Sequence, residues 1–237
     1  MKSVKFRMIA IALLSATMPF TAKAQDKVEA SVGADFVSNY IWRGTDCGGV
    51  SIQPSMGVSY KGLSLAGWGS VGIDKEDARE IDLTLGYNTG GFNVSVTDYW
   101  FSYHKEDGGY TGDYFKYGAH STIHIFEATL GYDFGPLALS WNTYFAGDDY
   151  TKENGDRAYS TYVGISAPFK LGGLDWSAEV GLTPWEGAYA NKFNVTNLTL
   201  KAEKEIKFTN SFSLPTFAQV TFNPHTQGAY FVFGVSF

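Results

Sequence analysis

The feature that most constrains this chain is a strict alternation of apolar and polar residues that recurs along most of its length. Within 50–60 every second residue is apolar, and mainly serine, glutamine or glycine stands between them. The same period returns in segments such as 80–88 and 174–183. Because successive side chains of a strand point to opposite faces, this period indicates strands with one apolar and one polar face. The chain is therefore predicted to be all-β.

The connections between these segments alternate between short and long. Short turns fall near residues 61, 89, 135, 171 and 209, and longer polar connections near 46, 76, 112, 152, 188 and 225. The pattern predicts about twelve strands, with ten as the alternative if one hairpin is absent. Short turns at one end and longer loops at the other are typical of bacterial outer-membrane proteins. The predicted fold is thus a closed antiparallel up-and-down transmembrane β-barrel.

The N-terminus has the pattern of an export signal. Basic residues precede the apolar run 8–18, which is too short to span a bilayer as a helix, and an A-x-A cleavage site ends at Ala24. We therefore expect residues 1–24 to be a secretory signal peptide cut after Ala24. Residues 25–237 would form the barrel domain, located in the cell outer membrane.

Composition excludes several other classes of protein. Aromatic residues make up 16% of the chain, which is unlike a disordered sequence. The single cysteine, Cys47, cannot form a disulfide within the chain. The net charge of −6, with no basic stripe, argues against a nucleic-acid partner.

Candidate catalytic and metal-binding residues are sparse. His120 and His124 are four residues apart, which on a strand is about 13 Å and too far to share one ion. Asp98 and His104 stand near these histidines in the predicted hairpin, but no nucleophile motif accompanies them. The sequence therefore predicts no enzyme activity, no metal and no cofactor.

The composition of the two faces favours an apolar exterior. The polar faces carry mostly small residues, as in a crowded lumen, and aromatic residues cluster where strands meet turns, as at a membrane interface. Outer-membrane lipids are therefore expected partners. The predicted girdle on the short-turn side comprises Tyr60, Tyr87, Phe92, Tyr132, Phe134, Phe169, Phe208 and Phe212, and the other comprises Trp42, Trp100, Tyr159 and Trp185.

The last strand ends on an aromatic residue. Phe231, Phe233 and Val235 alternate with smaller residues and Phe237 closes the chain. An amphipathic strand with a terminal aromatic residue is similar to the signal that barrel-assembly machinery reads. We expect that machinery to be a partner.

A set of spaced motifs in residues 30–103 resembles the TorF porin family. These are an aromatic residue followed by Arg-Gly, a Ser and a Pro, a Gly-x-x-x-x-Gly-Trp-x-Ser segment, and Glu-x-Asp-x-x-x-Gly-Tyr. Here Thr45-Asp46-Cys47 follows the Arg-Gly, where the family often has Ser-Gln. The resemblance implies an outer-membrane β-barrel with pore activity and no particular solute. The matching positions are Trp42, Arg43, Gly44, Ser51, Pro54, Gly62, Gly67, Trp68, Ser70, Glu80, Asp82, Gly86 and Tyr87.

The polar faces of the strands carry more acids than bases. Seven carboxylates and two basic residues fall there, and rings of acidic side chains select cations. Arg43 is the candidate constriction or network residue, since its planar fork can hold carboxylates. The candidate pore-lining residues are Asp35, Arg43, Trp68, Glu80, Asp82, Glu127, Glu179, Lys201 and Glu203.

Three functions follow in order of preference. The first is a porin or small diffusion channel that passes small hydrophilic solutes and prefers cations. The second is a closed structural barrel, or one that binds a partner or saccharide through the aromatic loop 104–120. The third is an outer-membrane hydrolase that uses His104, His120 or His124.

Overall fold

A computed structural model describes residues 27–105, 109, 111–119, 121–210 and 212–237. The predicted signal peptide, residues 1–24, lies outside the described residues. Within the described part of the chain, no helix is long and apolar enough to cross a membrane.

Fourteen strands occur in the described residues, and there is no helix among them. They are β1 (Glu29–Val37), β2 (Tyr40–Trp42), β3 (Thr45–Gly48), β4 (Ser51–Tyr60), β5 (Leu63–Gly72), β6 (Arg79–Thr89), β7 (Phe92–Ser102), β8 (Ile125–Asp133), β9 (Ala138–Gly147), β10 (Thr161–Leu171), β11 (Leu174–Thr183), β12 (Asn194–Lys207), β13 (Ser213–Asn223) and β14 (Gly228–Ser236).

Twelve of the strands in the described residues form a closed antiparallel barrel. From β4 to β14 each strand pairs with its neighbours in the chain, and β1 closes the ring between β14 and β4. The closing register places Asp35 opposite Ser236, and at the other edge Val37 lies opposite Ser51. The predicted closed antiparallel up-and-down barrel and its twelve-strand count are therefore confirmed, and the ten-strand alternative is wrong.

The alternation of apolar and polar residues in the sequence corresponds to the outer and inner faces of the barrel wall. In β6, Ile81, Leu83 and Leu85 are exposed, whereas Glu80 and Asp82 are buried. The same division runs round the barrel, so that apolar side chains cover the outside and polar ones fill the inside. This is the reverse of a soluble protein, in which apolar side chains are buried from water.

Sequence alternation places the start of one strand near residue 121 and another strand over 158–168. The first is β8, which begins at Ile125 because the backbone N–H groups of Ser121 and Thr122 donate to the carbonyl of Gly118 in a turn. The second is β10, which begins at Thr161 and ends at Leu171.

The remaining two strands, β2 and β3, form a separate two-stranded sheet, which we call the inner hairpin (Tyr40–Gly48). It connects β1 to β4, where the sequence predicts an external loop. Its two turn residues, Arg43 and Gly44, both have positive φ, at 51° and 79°. Positive φ at both central residues is typical of the tight turns that fit the twist of a hairpin. The turn directs the Arg43 side chain into the barrel.

Candidate functional site

The candidate site is a buried ion pair between the tip of the inner hairpin and the barrel wall. Arg43 Nη1 and Nη2 donate to the two carboxylate oxygens of Glu127 on β8, at 2.6 and 2.9 Å. The exposed fraction of Arg43 is 2% and that of Glu127 is 1%. A two-point contact of this kind fixes the orientation of the guanidinium as well as its position.

Aromatic rings enclose the guanidinium. Its central carbon lies 4.3 Å from the ring centroid of Trp42, 4.7 Å from that of Tyr162 and 5.7 Å from that of Tyr189. A cation over an aromatic face is attracted by the negative face of the ring, and the attraction grows when water is excluded. The rings therefore offset part of the cost of burying the charge.

Tyrosine hydroxyls complete the hydrogen bonding of the pair. Tyr99 donates to Glu127 Oε1 at 2.9 Å, and Arg43 Nη1 donates to the hydroxyl of Tyr189 at 2.5 Å. Tyr189 in turn donates to the hydroxyl of Tyr144 at 3.0 Å. Burial raises the pKa of Tyr189 to about 12, with smaller effects from its charged neighbours. At neutral pH the Tyr189 hydroxyl therefore keeps the proton that it donates.

The inner hairpin reaches from one side of the lumen to the other. The side-chain amide of Asn223 on β13 donates to the carbonyl of Gly44 at 3.0 Å, while the ring of Trp42 lies 5.6 Å from that of Tyr99 on β7. The strands β13 and β7 are six positions apart in the ring of twelve. The hairpin thus spans the lumen, and the cavity beside Arg43 has a volume of only about 10 Å³. That is room for about one water molecule.

This position corrects the prediction for Trp42. The sequence placed Trp42 in the outer girdle at the long-loop end, but its ring packs inside the barrel against Arg43, Tyr99 and Tyr189. The physical reason is the inward turn at Arg43 and Gly44, which carries the adjacent residue with it.

Glu179 is joined to the same network from the other side. The hydroxyl of Tyr162 donates to Glu179 at 2.5 Å, and the side-chain amide of Asn197 donates to both Glu179 and the Tyr162 hydroxyl. Since Tyr162 also faces the guanidinium of Arg43, this cluster holds one wall of the aromatic enclosure. Of the predicted pore-lining residues, Arg43, Glu127 and Glu179 are therefore brought together.

A second group lies nearer the short-turn end. Lys201 pairs with Glu203 and lies 4.3 Å from the ring centroid of Phe217. Asp35, which faces Ser236, is buried nearby. An adjacent cavity of about 180 Å³ opens at this end, and it is lined by Asp175, Glu203, Lys204, Glu205, Pro215, Thr216, Phe217 and Ser236.

The remaining predicted residues lie beside the base of the inner hairpin. Glu80 and Asp82 are buried on β6, and the ring of Trp68 on β5 lies 5.4 Å from that of Tyr40. The structure thus places all the candidates on the inner wall or on the inner hairpin. Their part in conduction stays a prediction.

Sequence reasoning missed the tyrosines of the enclosure. Tyr99, Tyr144 and Tyr162 stand at inward positions of β7, β9 and β10, and Tyr189 lies in the connection after β11. The sequence did contain an indication of the enclosure. A large aromatic side chain among small polar residues on the inner face of a strand needs another group inside the barrel to pack against.

Of the candidate hydrolase residues, His120 lies outside the described residues, and His124 is buried beside Asp98 on β7. His124 Nδ1 is 2.6 Å from Asp98 Oδ1, and His124 Nε2 is 2.7 Å from the carbonyl oxygen of Tyr114. Both ring nitrogens are thus engaged in holding the loop against the wall. Among the described residues, no group of three or more His, Cys, Asp or Glu side chains is arranged to hold a metal ion.

Neither a family model nor a curated protein matches this chain.

Gly44 offers a test of whether the hairpin tip is held in place. A Cβ at Gly44 would overlap the carbonyl oxygen of Thr196, and its positive φ also disfavours alanine. We expect Gly44→Ala to displace the tip and let trypsin cut after Arg43, which is inaccessible in the wild type. Gly172→Ala is the matched control, because Gly172 also has positive φ but faces open space. Mass spectrometry of the fragments would detect the cut. If Gly44→Ala resists trypsin as well as Gly172→Ala does, the hairpin tip is not held against the wall as described.

Proposed function

We propose that this protein is an outer-membrane channel for small hydrophilic solutes, with a preference for cations. In the described conformation the inner hairpin closes it. The observation that carries the proposal is a polar, acid-rich lumen inside an apolar wall, crossed by one hairpin held at its tip by one ion pair.

The outer wall supports a location in the membrane. Apolar side chains such as Leu85, Val94, Leu130 and Phe231 are exposed along the outside of the barrel. In water this surface would be an aggregation hazard, whereas in lipid it is matched to its surroundings. A closed barrel also pairs the backbone N–H and C=O groups between strands, as a bilayer core requires.

The lumen supports a channel for cations. Its polar faces carry seven carboxylates. The two basic residues are Lys201, which pairs with Glu203, and Arg43 on the inner hairpin, which pairs with Glu127. A wall with excess negative charge attracts cations and repels anions. A twelve-strand barrel is wide enough to conduct if the hairpin leaves the lumen.

The resemblance of residues 30–103 to the TorF porin family supports the same function. We propose the relationship on the motifs alone, of which Arg43, Glu80 and Asp82 stand at the inner hairpin or on the wall that faces it.

The second candidate is a barrel that never opens and serves a structural or surface-binding role. The observation that favours it is the full burial of the Arg43–Glu127 pair in its aromatic enclosure. A permanent plug would need such a contact, and a movable one would have to break it.

The test is the conductance of the refolded mature protein in a planar bilayer under a salt gradient. We expect long closed periods, brief stepwise openings, and a reversal potential that favours cations. Heat-modifiable mobility on a gel would first show that the barrel is folded. Folded protein that gives no steps at any voltage would contradict the channel and favour the sealed barrel, and anion-selective steps would contradict the cation preference.

A further inference from the structure

Two carboxylates with no cationic partner lie side by side at the base of the inner hairpin. Glu80 and Asp82 are two residues apart on β6 and both are buried, so their side chains project into the lumen from neighbouring positions of one face. The hydroxyl of Tyr40, on the hairpin, also contacts Glu80. The pair therefore lies where the hairpin meets the wall.

The surroundings of this pair add negative charge rather than cancel it. Neither carboxylate has an ion pair with a lysine, arginine or histidine of the described chain, and the charged groups that act on Asp82 include Glu127 and Asp98. Arg43, the basic residue at the tip of the inner hairpin, is engaged with Glu127. Two buried carboxylates in contact repel each other strongly unless something positive lies between or beside them.

One oxygen of the pair has no hydrogen-bond partner at all. Asp82 Oδ1 is buried and unpartnered, and the exposed fraction of Asp82 is only 9%. A buried carboxylate oxygen without a donor or a positive charge beside it costs free energy, so this oxygen needs a partner. A cation bound beside the pair would give this oxygen a partner and offset the repulsion between the two carboxylates.

We propose that Glu80, Asp82 and the hydroxyl of Tyr40 form a binding site for a divalent cation of the Mg²⁺ or Ca²⁺ class. These ions take oxygen ligands, and Mg²⁺ in particular binds through one or two carboxylates with water completing its shell. Ser70, the cross-strand partner of Glu80 on the same inner face, adds a further hydroxyl.

The strength and effect of the site follow from its ligands. No third carboxylate or histidine joins the group in the described chain, so the expected dissociation constant is weak, on the order of 10⁻⁴–10⁻³ M. Because Tyr40 belongs to the hairpin and Glu80 and Asp82 to the wall, a bound ion ties the two together. The cation thus holds the hairpin base as Arg43 holds its tip.

The test measures binding in detergent and does not depend on conductance. We expect about 10 mM MgCl₂ or CaCl₂ to raise the temperature of the heat-modifiable gel shift by about 3–6 °C over NaCl of equal ionic strength. Asp82→Asn and Glu80→Gln should remove the rise, and Asp35→Asn, at a lumen carboxylate faced by Ser236, should keep it. Tyr40→Phe should reduce it, and serves where a carboxylate variant does not fold.

Two results would overturn the site. The first is a wild-type protein that shows neither the rise nor any heat of binding by calorimetry with either ion, which would mean that the two carboxylates share a proton. The second is an unchanged rise in Asp82→Asn and Glu80→Gln, which would mean an ion bound elsewhere. Either result leaves the channel proposal to its own conductance test.

Discussion

A barrel that lacks the inner hairpin should carry about tenfold or more current than the wild type, because its twelve-strand lumen is no longer crossed. The variant replaces residues 39–49 with a short Gly-Ser turn, which the register allows since Val37 and Ser51 lie opposite each other on adjacent strands. Glu127→Gln is added so that the carboxylate that pairs with Arg43 in the wild type is not left charged without its partner. The measurement is the mean current per inserted barrel in a planar bilayer.

The matched control shortens a loop that does not enter the lumen. Residues 153–156 form an exposed tip closed by the pairing of Thr151 with Arg157. Replacing this tip should leave the current at the wild-type level. If the hairpin variant is folded and conducts no more than this control, the hairpin is not what closes the lumen. If only the hairpin variant conducts, the wild-type barrel is sealed and the second candidate function gains support.

Breaking the buried ion pair should cost far more stability than breaking an exposed one. Arg43→Met leaves Glu127 charged and without its partner in a site that excludes water, which typically costs about 3–5 kcal/mol in the free energy of unfolding. The double variant Arg43→Met with Glu127→Leu should recover most of this loss, because no uncompensated charge remains. Urea unfolding of the refolded barrel in lipid vesicles is the measurement.

Lys170→Met is the control for this loss. Lys170 pairs with Asp175 at 2.6 Å, but both side chains are largely exposed, so the expected loss is at most about 1 kcal/mol. A loss in Arg43→Met no larger than that of Lys170→Met would show that the hairpin tip is loosely held. A double variant that is no more stable than Arg43→Met would show that the lost contacts, rather than the stranded charge, set the cost.

The barrel could be predicted from the sequence because each strand and turn is specified by residues that are close together in the chain. In segment 50–60 the alternation specifies a strand, and it also specifies which side chains share a face. Lys61-Gly62 and Asn88 to Gly91 mark turns for similar reasons, since glycine takes the positive φ that the chain adopts there. The lumen position of Glu80 and Asp82 follows from the same alternation.

The inner hairpin could not be predicted in this way, because its direction depends on distant partners. Arg43 and Glu127 are 84 residues apart, and Gly44 and Asn223 are 179 apart. Nothing near Thr45 distinguishes a short polar hairpin outside the barrel from one inside it. The indication lay in two separate places, in the aromatic and basic residues before Gly44 and in the inward tyrosines such as Tyr162.

The long reach of the inner hairpin also sets an order on how the molecule is built. The hairpin follows the first strand of the barrel, yet its tip needs Glu127 on β8 and Asn223 on β13. The tip cannot make both contacts until almost the whole wall has formed, so every earlier assembly stage lacks at least one of them. Docking of the tip, which follows the first strand of the barrel, therefore reports that the last strands of the wall are in place.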